Sequence, residues 1–146
     1  MPPPATCLPT FSLSQRYALA VAMTLARNPR ELFVPVDLLA EQSHAPRAFL
    51  SKVLQTLADA GVVEGRKGHN GGYRLGRPAD SITLAEVVLP FCGESEGAAP
   101  CVTGARPCTP SDPCSLHDAW GKALRPLQTL MNGRTLIDVI RAGEGR

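Results

Sequence analysis

Near the head of the chain, apolar residues recur at four-residue steps. Leu13, Tyr17, Val21 and Leu25 fall on one stripe of "LSQRYALAVAMTLA", which predicts a helix over 13–26, stopped by Asn28-Pro29. A short apolar stretch over 36–42 follows Pro35, a residue suited to a helix start. A polar joint, Ser43-His44-Ala45, comes next, with His44 expected to cap or decorate the turn. Pro46 opens another helix and Gly61 takes the place just past its end. Phe49, Leu50, Val53, Leu54 and Leu57 form the face this helix is expected to bury. Arg47, Ser51, Lys52 and Gln55 form its solvated side. Two helices across a three-residue turn, the second more basic, predict a helix-turn-helix.

The period then changes. Val62-Val63 and Tyr73-Arg74-Leu75 read as the strands of a hairpin whose tip is the glycine-rich "KGHNGG". Such a basic tip directly after the second helix of a helix-turn-helix predicts a wing. Its backbone approaches a phosphate ridge or a narrow minor groove, Arg66 and Lys67 supply charge, and His69 touches a phosphate. Arg47, Ser51 and Lys52 are the matching candidates on the helix, where the competing reading is an ordinary solvated face. Thr83 and Glu86 make a capping box for a short helix over 84–91. Residues 92–113 are a Pro/Gly-rich loop. A long helix over 115–131 follows, with Leu116, Trp120, Ala123, Leu124, Leu127 and Leu130 on its apolar stripe. Pro126 is expected to kink or split it. Thr135 caps a last helix over 136–141.

The expected fold is therefore mainly α with a small β-hairpin wing, a winged helix-turn-helix followed by a long dimerisation helix. The expected divisions are a tail at 1–11, the DNA-binding domain at 12–91, a cysteine-bearing loop at 92–114 and the dimerisation and C-terminal helices at 115–146. One small domain does not cover so long a stripe, so Leu116, Trp120, Leu124 and Leu127 are expected to face a second copy. A two-fold homodimer of this kind would read a palindromic operator on double-stranded DNA.

Composition agrees with one compact domain of 146 residues. Hydrophobic residues make up 44 % and aromatics 5 %, so the core is expected to be aliphatic. The net charge of +2 hides an asymmetry. Residues 12–78 hold nine Lys/Arg against five acids, and residues 79–146 hold six against eight. The first part suits a polyanion. No apolar run is long enough to span a bilayer, and "MPPPATCLPTF" has neither part of a secretory signal, so a cytoplasmic protein is expected. No Ser/His/Asp arrangement, P-loop or dinucleotide fingerprint occurs, so no enzyme is expected.

Five cysteines without an export signal point to metal binding or a reactive thiol rather than a disulfide framework. Cys101, Cys108, Cys114 and His117 form C-x6-C-x5-C-x2-H in "CVTGARPCTPSDPCSLH". Three thiolates and an imidazole suit zinc or an iron–sulfur cluster. Structural zinc sites favour tighter knuckles, so the wide first two gaps favour a cluster, 2Fe–2S before 4Fe–4S, with zinc as the alternative. Cys92 reads as a small core residue or an exchangeable ligand, and Cys7 as a free thiol in the tail.

These residues resemble the Rrf-type winged helix-turn-helix regulators, the family of the iron–sulfur cluster regulator, the nitric-oxide-sensing repressor and the cysteine-metabolism repressor. The resemblance covers about residues 12–142. It rests on "LSQRYAL", "FLSKVLQTLADAGVV", "RKGHNGGYRL", "ITLAEVV", the three-cysteine loop and "CSLHDAW". It implies a homodimer with crossed long helices and a transcription factor, read as a repressor, whose cluster state sets its DNA affinity. By position, Cys101, Cys108 and Cys114 match the cluster cysteines and His117 a histidine ligand. Arg16 stands where the nitric-oxide branch has a carboxylate ligand, which favours His117. Lys67 matches an arginine that approaches the minor groove. Ser51 replaces a base-reading glutamate, which implies a different operator. Pro126 and a first cysteine gap one residue longer are further departures. Two alternatives stand beside this reading: the same fold with zinc or a thiol switch, and a cluster-bearing redox or assembly protein whose basic face meets an acidic protein.

Overall fold

The computed structural model describes residues 11–92 and 111–145. Helix α1, Leu13–Arg27, starts at Ser12. The Ser12 hydroxyl accepts the Gln15 N–H, and the Gln15 side chain accepts the Ser12 N–H at 2.8 Å. This capping box is spelled S-x-x-Q in the sequence. The buried apolar face of α1 is Ala18, Val21, Ala22 and Leu25; it keeps Val21 and Leu25 of the expected stripe, whereas Leu13 is 50 % exposed.

Helices α2, Val36–Ser43, and α3, Arg47–Asp59, meet at His44. His44 takes a left-handed conformation (φ 53°), and its N–H is donated to the Ala40 and Glu41 carbonyls. That closes α2 and turns the chain within three residues. Leu50, Val53, Leu54 and Leu57 of α3 are buried as expected. Phe49 is not, at 46 % exposed; its ring lies 5.8 Å from that of Tyr17. Gly61, at φ +76°, ends α3 in the conformation a side chain disfavours.

Strands β1, Val63–Arg66, and β2, Gly72–Leu75, form the antiparallel hairpin, in the register Glu64↔Arg74 and Arg66↔Gly72. A third segment joins it. Val34 pairs with Tyr73 on the other edge of β2, its N–H donating at 2.8 Å and its carbonyl accepting at 2.9 Å. Pro35 disfavours helix at the residue before it, so Val34 is already extended. Gly72 has φ +144°, and a Cβ there would lie 2.1 Å from the Val34 carbonyl oxygen. The glycine-rich stretch thus serves packing of the hairpin onto the α1–α2 connection as well as the turn at the tip.

Helix α4 is shorter than expected, Leu84–Val88, and tightens into a 3₁₀ turn at Leu89–Phe91 because Pro90 has no N–H for another α-helical bond. Helix α5, His117–Gly133, runs unbroken through Pro126, so of the expected kink or split the split does not occur. Pro126 and Lys122, whose carbonyl loses its i+4 N–H donor, both lie on the exposed side of the helix. Helix α6, Leu136–Glu144, is longer than expected. The starts of α4 and α6 are bridged: Leu84 N–H donates to Arg134 O at 2.9 Å, and Leu136 N–H to Ile82 O at 3.0 Å. Each helix there has its own capping box, Thr83–Glu86 and Thr135–Asp138. The main core gathers α1, α2, α3, the hairpin, Ile82, Val87 and Leu136. A smaller cluster joins Ala85 and Val88 of α4 to Met131 of α5.

Candidate nucleic-acid interface and cysteine segment

Burying Leu50, Val53, Leu54 and Leu57 leaves the other side of α3 outward, so Arg47, Ser51 and Lys52 are all exposed. Arg47 is engaged there: its guanidinium forms an ion pair with Asp37 in the first turn of α2. Both side chains remain largely exposed, at 68 % and 78 %. Lys67 and His69 stand exposed at the wing tip, where Gly68 (φ +90°) and Asn70 (φ +58°) turn the chain.

Arg66 is placed differently from a free phosphate-reaching side chain. Its guanidinium stacks on the Phe33 ring, 4.5 Å from the centroid, and donates to the Asn70 carbonyl at 2.8 Å. Arg74, from the other strand, lies 4.4 Å from the same centroid and pairs with Glu64. Phe33 and Arg74 are residues the sequence reading did not single out. The available signal was Pro35, which marks Phe33-Val34 as an extended pair beside the wing.

Of the cysteine cluster, Cys101 and Cys108 lie outside the described residues, as does Cys7. Cys114 and His117 are described; both are half-buried, and the His117 N–H donates to the Cys114 carbonyl at 3.1 Å. A thiol and an imidazole thus enter α5 together, the right donor types for a soft metal or cluster iron. Among the described residues, no three His, Cys, Asp or Glu side chains gather as a metal site. Cys92 is half-buried and disulfide-bonded. The buried Gln15 side chain connects it to α1: Nε2 donates to the Val88 carbonyl at 3.3 Å and lies 3.7 Å from the Cys92 sulfur.

The apolar stripe of α5 divides in two. Leu124 is 3 % exposed and Met131 5 %, on the side facing α4, with Trp120 and Leu127 half-buried beside them. Leu116, Ala119, Ala123, Pro126 and Leu130 form a second row, exposed throughout. Of the four residues expected at a dimer interface, Leu116 is outward and Leu124 is taken up by the chain's own packing.

A family model described as an iron-dependent transcriptional regulator, Rrf2, matches residues 11–142. The chain belongs to the Rrf2 family. A putative HTH-type transcriptional regulator of Aquifex aeolicus is 33 % identical over 136 residues, covering 92 % of this chain and 93 % of that protein. The HTH-type transcriptional regulator IscR of Klebsiella pneumoniae is 30 % identical over 129 residues, covering 88 % and 78 %. Among solved structures, T. potens IscR superposes with a TM-score of 0.73 at 20 % identity, over 92 % of this chain and 88 % of that one. CymR, the global cysteine regulator of B. subtilis, gives 0.71 at 21 %, over 90 % and 96 %. These likenesses establish the winged fold. As an Rrf2 protein, the chain is a transcriptional regulator with a DNA-binding winged helix. No helix among the described residues is long and apolar enough to cross a membrane.

Proposed function

We propose that this Rrf2 protein is a homodimeric repressor whose affinity for a palindromic operator is set by an iron–sulfur cluster held by Cys101, Cys108, Cys114 and His117. One observation carries the reading: His117 opens α5 with Cys114 three residues before it, and α5 bears an exposed apolar row along its length. A sensor built on the first turn of a dimer helix acts on the spacing of two reading heads without touching DNA. The cluster, when bound, supplies a cross-link sensitive to redox state, iron or nitric oxide. The chain supplies the rest. Cys114 and His117 anchor the loop to α5, α5 packs on α4 through Met131, Val88 and Ala85, and α4 leads back to the winged domain. Arg47, Ser51 and Lys52 read bases while Lys67 and His69 meet phosphate or the minor groove.

Anaerobic purification tests this. A coloured protein with iron and sulfide in stoichiometric amounts is expected, and its charge-transfer spectrum distinguishes 2Fe–2S from 4Fe–4S. Replacing Cys101, Cys108 or Cys114 by Ala is expected to abolish stable binding, and His117→Ala to weaken it. Full cluster retention in all three cysteine variants contradicts the assignment.

A thiol switch at the same cysteines is the second reading, supported by the half-buried Cys114 at the entrance to α5. It requires a colourless protein whose DNA affinity changes on thiol oxidation and is restored by dithiothreitol. Zinc in the same ligands requires a colourless protein with stoichiometric zinc.

A further inference from the structure

The wing carries two arginines on one aromatic ring. Because Val34 pairs with Tyr73 in antiparallel sense, Phe33 lies across from Arg74, and Arg74 lies across from Glu64. Phe33, Arg74 and Glu64 therefore form a row on one face of this small sheet. Arg66 is one step along that face, opposite Gly72. Gly72 has no side chain, so nothing stands between Arg66 and the ring. Both guanidiniums close on it, at 4.5 and 4.4 Å.

The contact has a useful chemistry. A guanidinium stacked on a ring face spends none of its N–H donors, which lie in its own plane. An ion pair does spend them and cancels the charge. Arg74 has one such pair, with Glu64, and Arg66 gives one bond to the Asn70 carbonyl. Stacking holds the remaining donors of both side chains in fixed places at the base of the wing. Without the ring, both side chains would lose rotamer entropy on being ordered by a ligand. Arg66, whose bond goes to a neutral carbonyl, keeps its full charge for a phosphate, and Arg74 adds the N–H donors that its pair with Glu64 leaves over.

We propose that Phe33 is a positioning residue of the DNA interface: it sets Arg66 and Arg74 as a pre-ordered pair that grips phosphates beside the wing tip. The inference rests on the DNA-binding reading of the wing. It assigns a role to a residue outside both the helix-turn-helix and the hairpin.

The test is a double-mutant cycle on the full chain, with a fluorescein-labelled duplex of mixed sequence as probe. Phe33→Leu keeps an apolar side chain and removes the ring. It is expected to weaken binding about fivefold, from two exposed cation–π contacts, and to lower the salt slope by up to about one for each arginine set adrift. Phe33→Trp keeps a ring face and is expected to bind as the wild type does. In an Arg66→Gln/Arg74→Gln background, Phe33→Leu is expected to have no further effect on affinity. Thermal melts of all variants show the folded fraction. Equal losses from Phe33→Leu in both backgrounds, or no loss in the wild-type background, overturn the proposal, since a merely structural ring produces one or the other. A wild-type protein with no salt-dependent affinity for the duplex overturns the wing reading itself, and this inference with it.

Discussion

Asp37, in the first turn of α2, pairs with Arg47, the first residue of α3. The pair ties together the N-terminal turns of both helices of the helix-turn-helix, on their exposed side, the side proposed above to face DNA. An exposed pair of this kind contributes about 0–1 kcal/mol to stability. Its larger effect is on the reading surface, where it holds Arg47 beside a negative charge that repels phosphate. Asp37→Asn is therefore expected to leave the melting temperature nearly unchanged and to tighten binding to mixed-sequence DNA. The salt slope should rise by about one for each Arg47 released to a phosphate. Adding Arg47→Ala should erase the gain. Unchanged or weaker binding by Asp37→Asn, measured by fluorescence anisotropy across a salt series, contradicts this account.

Gly72 and Gly121 are expected to respond to alanine in opposite directions. At Gly72 the backbone has φ +144° and a Cβ would sit 2.1 Å from the Val34 oxygen, so the Val34–Tyr73 pairing must open. Gly72→Ala should cost well over about 1 kcal/mol and weaken DNA binding by releasing the wing. Gly121 lies within α5 with nothing within 4 Å of a built Cβ. There alanine should stabilise by up to about 1 kcal/mol through helix propensity. Urea midpoints of the two variants give both signs.

These cases show where the sequence was legible. Leu50, Val53, Leu54 and Leu57 repeat at helical spacing and are bracketed by Pro46 and Gly61, so α3 and its buried face follow from local pattern. The Thr83–Glu86 box and the left-handed joint at His44 are likewise spelled in adjacent residues. The Val34–Tyr73 bridge is not, because it joins residues 39 positions apart. The Phe33 stack depends on that bridge. Leu124 was assigned outward because a stripe drawn by spacing does not say which of two adjacent rows meets α4. Leu13 and Phe49 are likewise apolar and correctly spaced, yet both are exposed.

Acid should loosen the junction between α4 and α6. Burial alone would raise the Glu86 pKa, but the Thr83 N–H and hydroxyl and the nearby Arg77, at 2.7 Å, outweigh it and hold the carboxyl below its ordinary value of 4.5. The Thr135 N–H and hydroxyl, with Arg134 and Arg141, hold Asp138 below 3.8. A depressed carboxylate stabilises the fold above its unfolded pKa, and that contribution is lost as pH falls through the folded one. Stability from these two groups should be flat near neutrality and decline as pH drops below the ordinary carboxylate range. Glu86→Gln/Asp138→Asn should be less stable at neutral pH and converge on the wild type in acid. A gap between the two urea curves that stays constant with pH contradicts the charged caps.

The final prediction concerns the second copy. Leu116, Ala119, Ala123, Pro126 and Leu130 alternate at three- and four-residue steps, the spacing of a helix–helix seam, and all are exposed. Small residues in the middle let two backbones approach closely, and the leucines, 47 % and 48 % exposed, give the ends of the row apolar contact. A two-fold pairing along this row places two α3 helices on one duplex, with half-sites about 34–36 Å apart for one turn. Leu116→Asp/Leu130→Asp changes two outward side chains, so the subunit should stay folded while its mass in sedimentation falls to that of one chain. Binding to a palindromic site should fall with it, because each half-site is then held by a single head. Leu124→Ala is the contrasting change. It empties a position packed inside the subunit, should cost about 2–5 kcal/mol, and should act on the dimer only through folding. A Leu116→Asp/Leu130→Asp protein that remains dimeric would place the seam elsewhere and remove the link proposed between Cys114, His117 and the spacing of the reading heads.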